Sequence, residues 1–254
     1  PMDRAVHAAC QRMPGDDRAL AIAIAGDALR WLEPIDTLID SATKTQLPDD
    51  SKVRMVLRIA LIQLLHMSTP GHAVVATSLA LLTGGPRRLA HAILSRAQRD
   101  GWTLPAVPPL PAAVTARWTE SWGAEMVAAA QMAWAVPPPL DLRFKTAALA
   151  GAYPDGDSLA PRHRRLARGG RIERLAGYDD GDWWVQDLAA SIAADLLGEG
   201  GGRSVLDLCA APGGKTMQLA AAGWTVTAVN QSAKRLSRMQ ENLARTDLPA
   251  TLVT

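Results

Sequence analysis

The sequence predicts a multidomain chain with an all-α N-terminal domain, a small α+β linker module and the first half of a doubly wound α/β domain. Three observations carry this reading. Apolar residues recur at helical spacing from Asp16 to about Asp100. Two proline runs, "PAVPPLPAA" and "VPPPL", then remove backbone donors and break the pattern. From Ser204 onward strand and helix patterns alternate, as in a parallel sheet with crossover helices.

Helices are expected at Asp17 to Leu32, Ile35 to Ala42, Ala73 to Leu82 and Pro86 to Arg99, with "TGGP" separating the last two. The clearest helix follows "PDDSK", where Val53, Val56, Leu57, Ala60, Leu61, Leu64 and Leu65 keep i, i+3, i+4 spacing and Asp49, Asp50 and Ser51 offer N-terminal caps. These elements make up the helical domain, residues 1–110. A linker helix around Thr115 to Ala135 opens the second segment, residues 111–180. There "LDLRFK" alternates as a half-buried strand does, and "RRLARGGRIERL" reads as a hairpin turning at Gly169-Gly170. The third segment, residues 181–254, holds a helix from about Gln186 to Leu197. It continues with strand Ser204 to Cys209, helix Gly214 to Ala222, strand Thr225 to Val229, helix Ala233 to Arg245 and a strand starting near Ala250.

Composition bounds the function classes. A net charge of +2 makes any nucleic-acid surface a matter of local clustering. Cys10 and Cys209 lie in unrelated segments, which excludes a disulfide framework and points to a reducing compartment, the cytoplasm. Arg58 and Gln63 interrupt the longest apolar stretch short of the roughly 18 residues of a membrane span, and "PMDRAVHAACQRM" has no apolar signal core, so no membrane partner is expected. His7, His66, His72, His91 and His163 show no metal-ligand spacing, so no metal is assigned. The chain is expected to be a monomer.

The stretch "LDLCAAPGGKT", Leu206 to Thr216, runs a strand into a glycine-rich turn and a helix start. A phosphate-cradling loop needs G-x-x-x-x-G-K-[ST], and Cys209 stands where the first glycine belongs. A dinucleotide loop needs G-x-G-x-x-G, whereas Gly213 and Gly214 are adjacent. An S-adenosyl-L-methionine site remains, with bare backbone admitting the cofactor and a polar residue, Asn230, ending the next strand to take the ribose hydroxyls.

"DLCAAPGGKT", with "WWVQD" upstream and "SAKRLSRMQENLART" downstream, resembles the RNA 5-methylcytosine methyltransferases of the Sun/Fmu type. The stretches "DDRALAIAIAGDALRWLEPIDTLI", "LRIALIQLLHM", "HAVVATSLAL" and "GPRRLAHAILSRA" are similar to the NusB-like RNA-binding domain fused to one branch of that family. The resemblance covers nearly the whole chain and implies a Rossmann-like methyltransferase domain, S-adenosyl-L-methionine as cofactor and small-subunit ribosomal RNA as partner. It places the cofactor loop on Cys209, Ala210, Ala211, Pro212, Gly213, Gly214 and Lys215, and the ribose contact on Asn230, where the family usually has aspartate. Gln186 falls near the cofactor on the same resemblance.

The family's chemistry starts with a cysteine thiolate adding to cytosine carbon 6, which lets carbon 5 attack the donor methyl group. The base must be unpaired or flipped out first. The reacting cysteines lie in "TCS" and "PCS" type motifs, and neither occurs in these 254 residues. Cys209, inside the cofactor loop, is expected to be a small neutral neighbour of the cofactor. The chain also stops at "ATLVT", within the expected third strand, which would leave one edge of the first strand open, so either a fragment or a missing half supplied or covered by another element is expected. Methyl transfer by this chain alone is expected to be absent. The reading from another class is a non-catalytic RNA-binding protein with a vestigial methyltransferase fold.

Arg162, Arg164, Arg165, Arg168 and Arg171 concentrate charge on the expected hairpin and suit RNA phosphates, against the plainer reading of a solvated strand face. Lys52, Arg54 and Arg58 are expected on a solvated helix face. Trp183 and Trp184 are expected to pack against the sheet rather than stack on a base.

Overall fold

The computed structural model describes residues 2–167 and 171–254. The chain packs into two compact units, Pro1–Val136 and Pro137–Thr254.

The first unit is all-α: α1 (Met2–Ala9), α2 (Gly15–Arg30), α3 (Leu32–Ser41), α4 (Lys52–Leu65), α5 (Gly71–Ala80), α6 (Gly84–Arg99) and α7 (Ala112–Ala135). The helix with the strongest apolar period, α4, is central and packs on α2, α3, α5 and α6. Its Val53, Val56, Leu57, Ala60 and Leu61 are buried with Trp31, Ile35 and Ile39. The Trp31 indole donates to the Pro105 carbonyl at 3.1 Å, which ties the proline-rich segment to this core. Gly123, at φ 82°, takes a left-handed conformation open to glycine and breaks α7 into two helical runs.

The solvated face expected of α4 is corrected for two of its three cations. Arg54 is 1% exposed and Arg58 9%. Arg54 donates to both carboxylate oxygens of Asp40, at 2.7 and 3.1 Å, and to the Leu47 carbonyl at 3.1 Å. Arg58 donates to both oxygens of Asp36, at 2.8 and 2.7 Å, and to the Asp49 carbonyl at 3.2 Å. The reason is that α4 is enclosed, so its polar side meets α3. Asp36 and Asp40 there share the i, i+4 spacing of Arg54 and Arg58.

The second unit contains β1 (Leu140–Phe144), α8 (Ala147–Ala152), β2 (His163–Leu166), a single 3-10 turn at Ile172–Arg174, β3 (Trp183–Val185) and α9 (Leu188–Asp195). It continues with β4 (Ser204–Leu208), α10 (Gly214–Ala221), β5 (Thr225–Val229), α11 (Ala233–Thr246) and β6 (Thr251–Val253). An antiparallel sheet of order β2-β1-β3 stands beside a parallel sheet of order β4-β5-β6. Among the described residues β4 pairs on one side only.

The expected hairpin is also corrected. β2 pairs with β1, placing Arg165 opposite Asp141, and the second arm is the 3-10 turn. Asp157 occupies the outer edge of β2, exchanging backbone hydrogen bonds with Arg165 at 3.0 and 2.8 Å, so no place is left there for a hairpin arm. Arg168, Gly169 and Gly170 lie outside the described residues.

The last turn of α11 is fixed to the β3 loop by Arg245. Its guanidinium lies 4.2 Å from the Tyr178 ring centre and donates to the carbonyls of Tyr178 and Trp183 at 2.7 and 3.0 Å. The fit depends on Gly181, at φ 68°, where any Cβ would collide with the Arg245 carbonyl. Gly181→Ala is therefore expected to destabilise this unit by about 2 kcal/mol. Urea unfolding checks it, and an unchanged midpoint would contradict this packing.

Candidate functional site

The three parallel strands end side by side, and the residues singled out in the sequence follow directly from them. Leu208 and Val229 are paired in the parallel register, so Cys209 and Asn230 are the next residues out of β4 and β5. Asn230 also donates its backbone N–H to the Val253 carbonyl of β6 at 3.0 Å. These are the carboxyl ends of the strands, the side of the sheet on which open α/β folds bind ligands.

The chain leaves β4 through Cys209, which is exposed and sits at φ 59° in the left-handed region. The Ala210 N–H returns to the Val229 carbonyl at 3.1 Å, and the Gly213 N–H donates to the Ala210 carbonyl at 2.9 Å. Ala210 and Ala211 are buried against Trp184, Met217 and Met239. Asn242 of α11 holds the other side, its amide donating to the Pro212 carbonyl at 3.1 Å.

The two glycines of the turn differ in their surroundings. Gly213 caps α10 at φ 106°, and a Cβ there would stand 2.9 Å from Met239 Cγ, so strain and crowding both require glycine. At Gly214 a Cβ would meet the Gln186 amide at 3.5 to 3.8 Å, so Gln186 forms a wall of the turn. The first N–H groups of α10 have no partner in the preceding turn, so they can face an anionic group. Lys215 is exposed at this end, while Thr216 is buried.

Asp207 is the contribution that sequence reading missed. Its carboxylate accepts a short hydrogen bond from the Thr216 hydroxyl, locking the end of β4 to the first turn of α10. A carboxylate inside the apolar run "VLDL" is the signal that could have found it.

Asn230 is 6% exposed. Its side-chain oxygen already accepts the Ser232 N–H at 3.0 Å, so one acceptor position remains beside an amide that only donates.

The hairpin arginines do not share one face toward solvent. Arg165 donates to both oxygens of Asp141 at 2.7 and 2.8 Å. Arg164 donates to the carbonyls of Ala150, Gly156 and Gly151 at 2.7, 3.2 and 3.3 Å. Arg162 donates to Glu199 at 3.1 Å and to the Ala221 carbonyl at 3.4 Å. Arg171 and Arg174 are exposed, and Arg168 lies outside the described residues.

Asp141 is the hub of that region. It also accepts the Leu188 N–H at 2.9 Å, at the start of α9, and lies 3.4 Å from His163 Nε2. The Arg165 hydrogen bonds outweigh the opposing effect of burial and, with the Leu188 N–H, hold its pKa down at about 2. Trp183 and Trp184 are both buried in packing, on opposite sides of β3. No metal-binding cluster occurs among the described residues, and none of their helices is long and apolar enough to cross a membrane.

Comparison with known proteins places these features in context. Residues 2–94 match the family described as NusB, and residues 195–254 match that described as 16S rRNA methyltransferase RsmB/F. A Pseudomonas putida protein named ribosomal RNA small subunit methyltransferase B is 34% identical over 93% of this chain and 60% of its own length. A Xanthomonas campestris protein of the same name is 30% identical over 91% of this chain and 57% of its own. The chain thus spans about three fifths of the length of these curated relatives. The crystal structure of PH0851 matches with a TM-score of 0.63 over 98% of this chain and 63% of that one, at 17% identity, and shows a shared fold.

Proposed function

The chain is homologous to the ribosomal RNA small subunit methyltransferase B proteins, joining a NusB-family segment to an RsmB/F-family segment, and on that premise we propose that its turn at residues 209–215 holds S-adenosyl-L-methionine for methylation of cytosine carbon 5 in small-subunit ribosomal RNA. The observation that carries the proposal is the left-handed Gly213 turn opening α10 beside Asn230 at the strand ends. The residues fit the group: small buried alanines, a glycine no side chain could replace, free N–H groups for a carboxylate and a buried polar residue for the ribose. When bound, the cofactor supplies a methyl group on a sulfonium, an electrophile for an activated carbon.

Calorimetric titration with S-adenosylhomocysteine tests this reading. The unmodified chain is expected to bind, and Gly213→Val is expected to abolish binding through strain and the collision with Met239. Asn230→Asp is expected to tighten binding about tenfold, because the carboxylate keeps the Ser232 N–H and offers a second oxygen to the ribose. Unchanged affinity would remove Asn230 from the site.

Methyl transfer by these 254 residues alone is not expected. Cys209 belongs to the donor turn and Cys10 is buried in the helical unit, so neither is placed as the nucleophile. Methylated cytosine formed by the purified chain would overturn this. A second reading rests on Asn230, whose one oxygen already accepts the Ser232 N–H: an RNA-binding protein with a vestigial cofactor fold, for which S-adenosylhomocysteine would not bind.

RNA contact on the second unit is proposed to centre on Arg171 with its exposed neighbour Arg174, since Arg162, Arg164 and Arg165 already hold the protein together. Arg171→Glu is expected to weaken RNA binding and lower its salt slope by about one. The cytoplasm, where two unpaired cysteines stay reduced, is the proposed compartment, and the proposed state is a monomer.

A further inference from the structure

The amide of Gln186 is held in one orientation by a relay whose direction is fixed from both ends. The Trp184 indole N–H can only donate, and it donates to Gln186 Oε1 at 2.7 Å. Gln186 Nε2 then donates to Gln218 Oε1 at 2.8 Å. Gln218 Nε2 donates onward to the Ser191 carbonyl at 2.9 Å and to Asp195 Oδ1 at 2.8 Å. Asp195, which only accepts, is gripped by two N–H groups of the buried Arg143 on β1. With a donor at one end and a carboxylate at the other, neither amide can flip without losing bonds along the whole line.

The two amides in the middle of this relay stand next to the glycine turn and on the helix it opens. Gln186 lies beside Gly214, the first residue of α10, close enough that a Cβ added there would touch it, and Gln218 stands one helical turn further along α10. Gln186 and Gln218 are 7% and 3% exposed, so any amide atom left without a partner there is buried and costly.

We propose that Gln218 is a positioning residue for the methyl-donor turn: it holds the Gln186 amide as one wall of the turn and links that wall, through Asp195, to Arg143 of the antiparallel sheet. The inference rests on the methyl-donor reading of residues 209–215. It assigns Gln218 no contact with the cofactor. It also makes the small antiparallel sheet part of what shapes the donor site, because Arg143 anchors the far end.

The test is S-adenosylhomocysteine affinity of the full chain by calorimetry, together with the indole N–H resonance of Trp184, assigned through Trp184→Phe. Gln218→Glu sets a carboxylate against Asp195 and is expected to weaken binding about tenfold or more, the loss of one or more buried hydrogen bonds. Adding Asp195→Asn gives the introduced carboxylate a donor while its remaining oxygen keeps one of the two Arg143 bonds. The double variant is expected to regain part of the affinity and to return the Trp184 resonance toward its original position. A purely structural role would move thermal stability and leave affinity and the Trp184 signal unconnected. Binding unchanged in Gln218→Glu, or a double variant no better than the single one, would overturn the inference alone. No binding by the unmodified chain would overturn the methyl-donor reading and this inference with it.

Discussion

Arg54→Ala is expected to destabilise the helical unit by about 2 to 3 kcal/mol, from the cavity and the buried hydrogen bonds lost, since its partners Asp40 and Asp36 keep 34% and 20% of their side-chain surface in water. Arg54 is among the largest fully buried side chains, and its loss leaves a cavity at α4 and an unpaired acceptor at the Leu47 carbonyl. Its positive charge is stabilised first by the hydrogen bonds to Asp40 and then by Asp36, which raise its pKa against the cost of burial. Asp40 responds in kind, its pKa held below the usual carboxylate range chiefly by Arg54. Arg54→Met keeps much of the volume and is expected to cost less than the alanine variant. Urea unfolding followed by helical circular dichroism checks both. A shift below about 1 kcal/mol for Arg54→Ala would mean that the pair contributes no more than an exposed one.

Asp141→Ala is expected to cost the second unit about 3 kcal/mol, because one buried carboxylate joins β1, β2 and the start of α9. Asp141→Asn is expected to cost less, since its oxygen can still accept the Leu188 N–H. The folded carboxyl, with its pKa lowered from 3.8 to about 2, contributes stability that is complete above the unfolded value. That contribution fades as pH falls from about 4 through about 2. It is worth about 2 kcal/mol at neutral pH, from the size of the shift. Unfolding midpoints measured between pH 6 and pH 2 should therefore converge for the parent and Asp141→Asn. Curves that stay parallel to pH 2 would assign the acid sensitivity to other groups.

Reversing Arg164 or Arg165 would disturb the fold together with any RNA contact. Arg165 neutralises Asp141, and Arg164 ties β2 to three carbonyls between Ala150 and Gly156. Loss of RNA binding in such a variant would report unfolding, which leaves Arg171 as the sharper probe.

Most of the parallel sheet was legible in the sequence. Strand Thr225–Val229 and the starts of β4, α10 and α11 fall where alternation and the glycine turn place them. The glycine turn was legible for a related reason: Gly213 must be glycine, because φ 106° and the nearness of Met239 leave no room for a side chain. β3 was not legible. Three residues are too few for a period, and its pairing with β1 spans about forty residues of sequence.

Local patterns fixed what local physics governs: where backbone periodicity begins and ends, which turn needs glycine, and which side of each element is apolar. Partners of charged groups belong to another class of fact. Arg54, Arg58, Arg164 and Arg165 look alike as surface cations in the chain, yet Arg54 and Arg58 are buried and all four are held by partners within the protein. Whether an arginine meets water, a carboxylate or a carbonyl depends on elements brought together by packing. Only the tertiary structure sets those distances, and so decides that Arg54 and Arg58 are buried against the carboxylates of α3 and that Gln218 accepts from Gln186 beside the glycine turn.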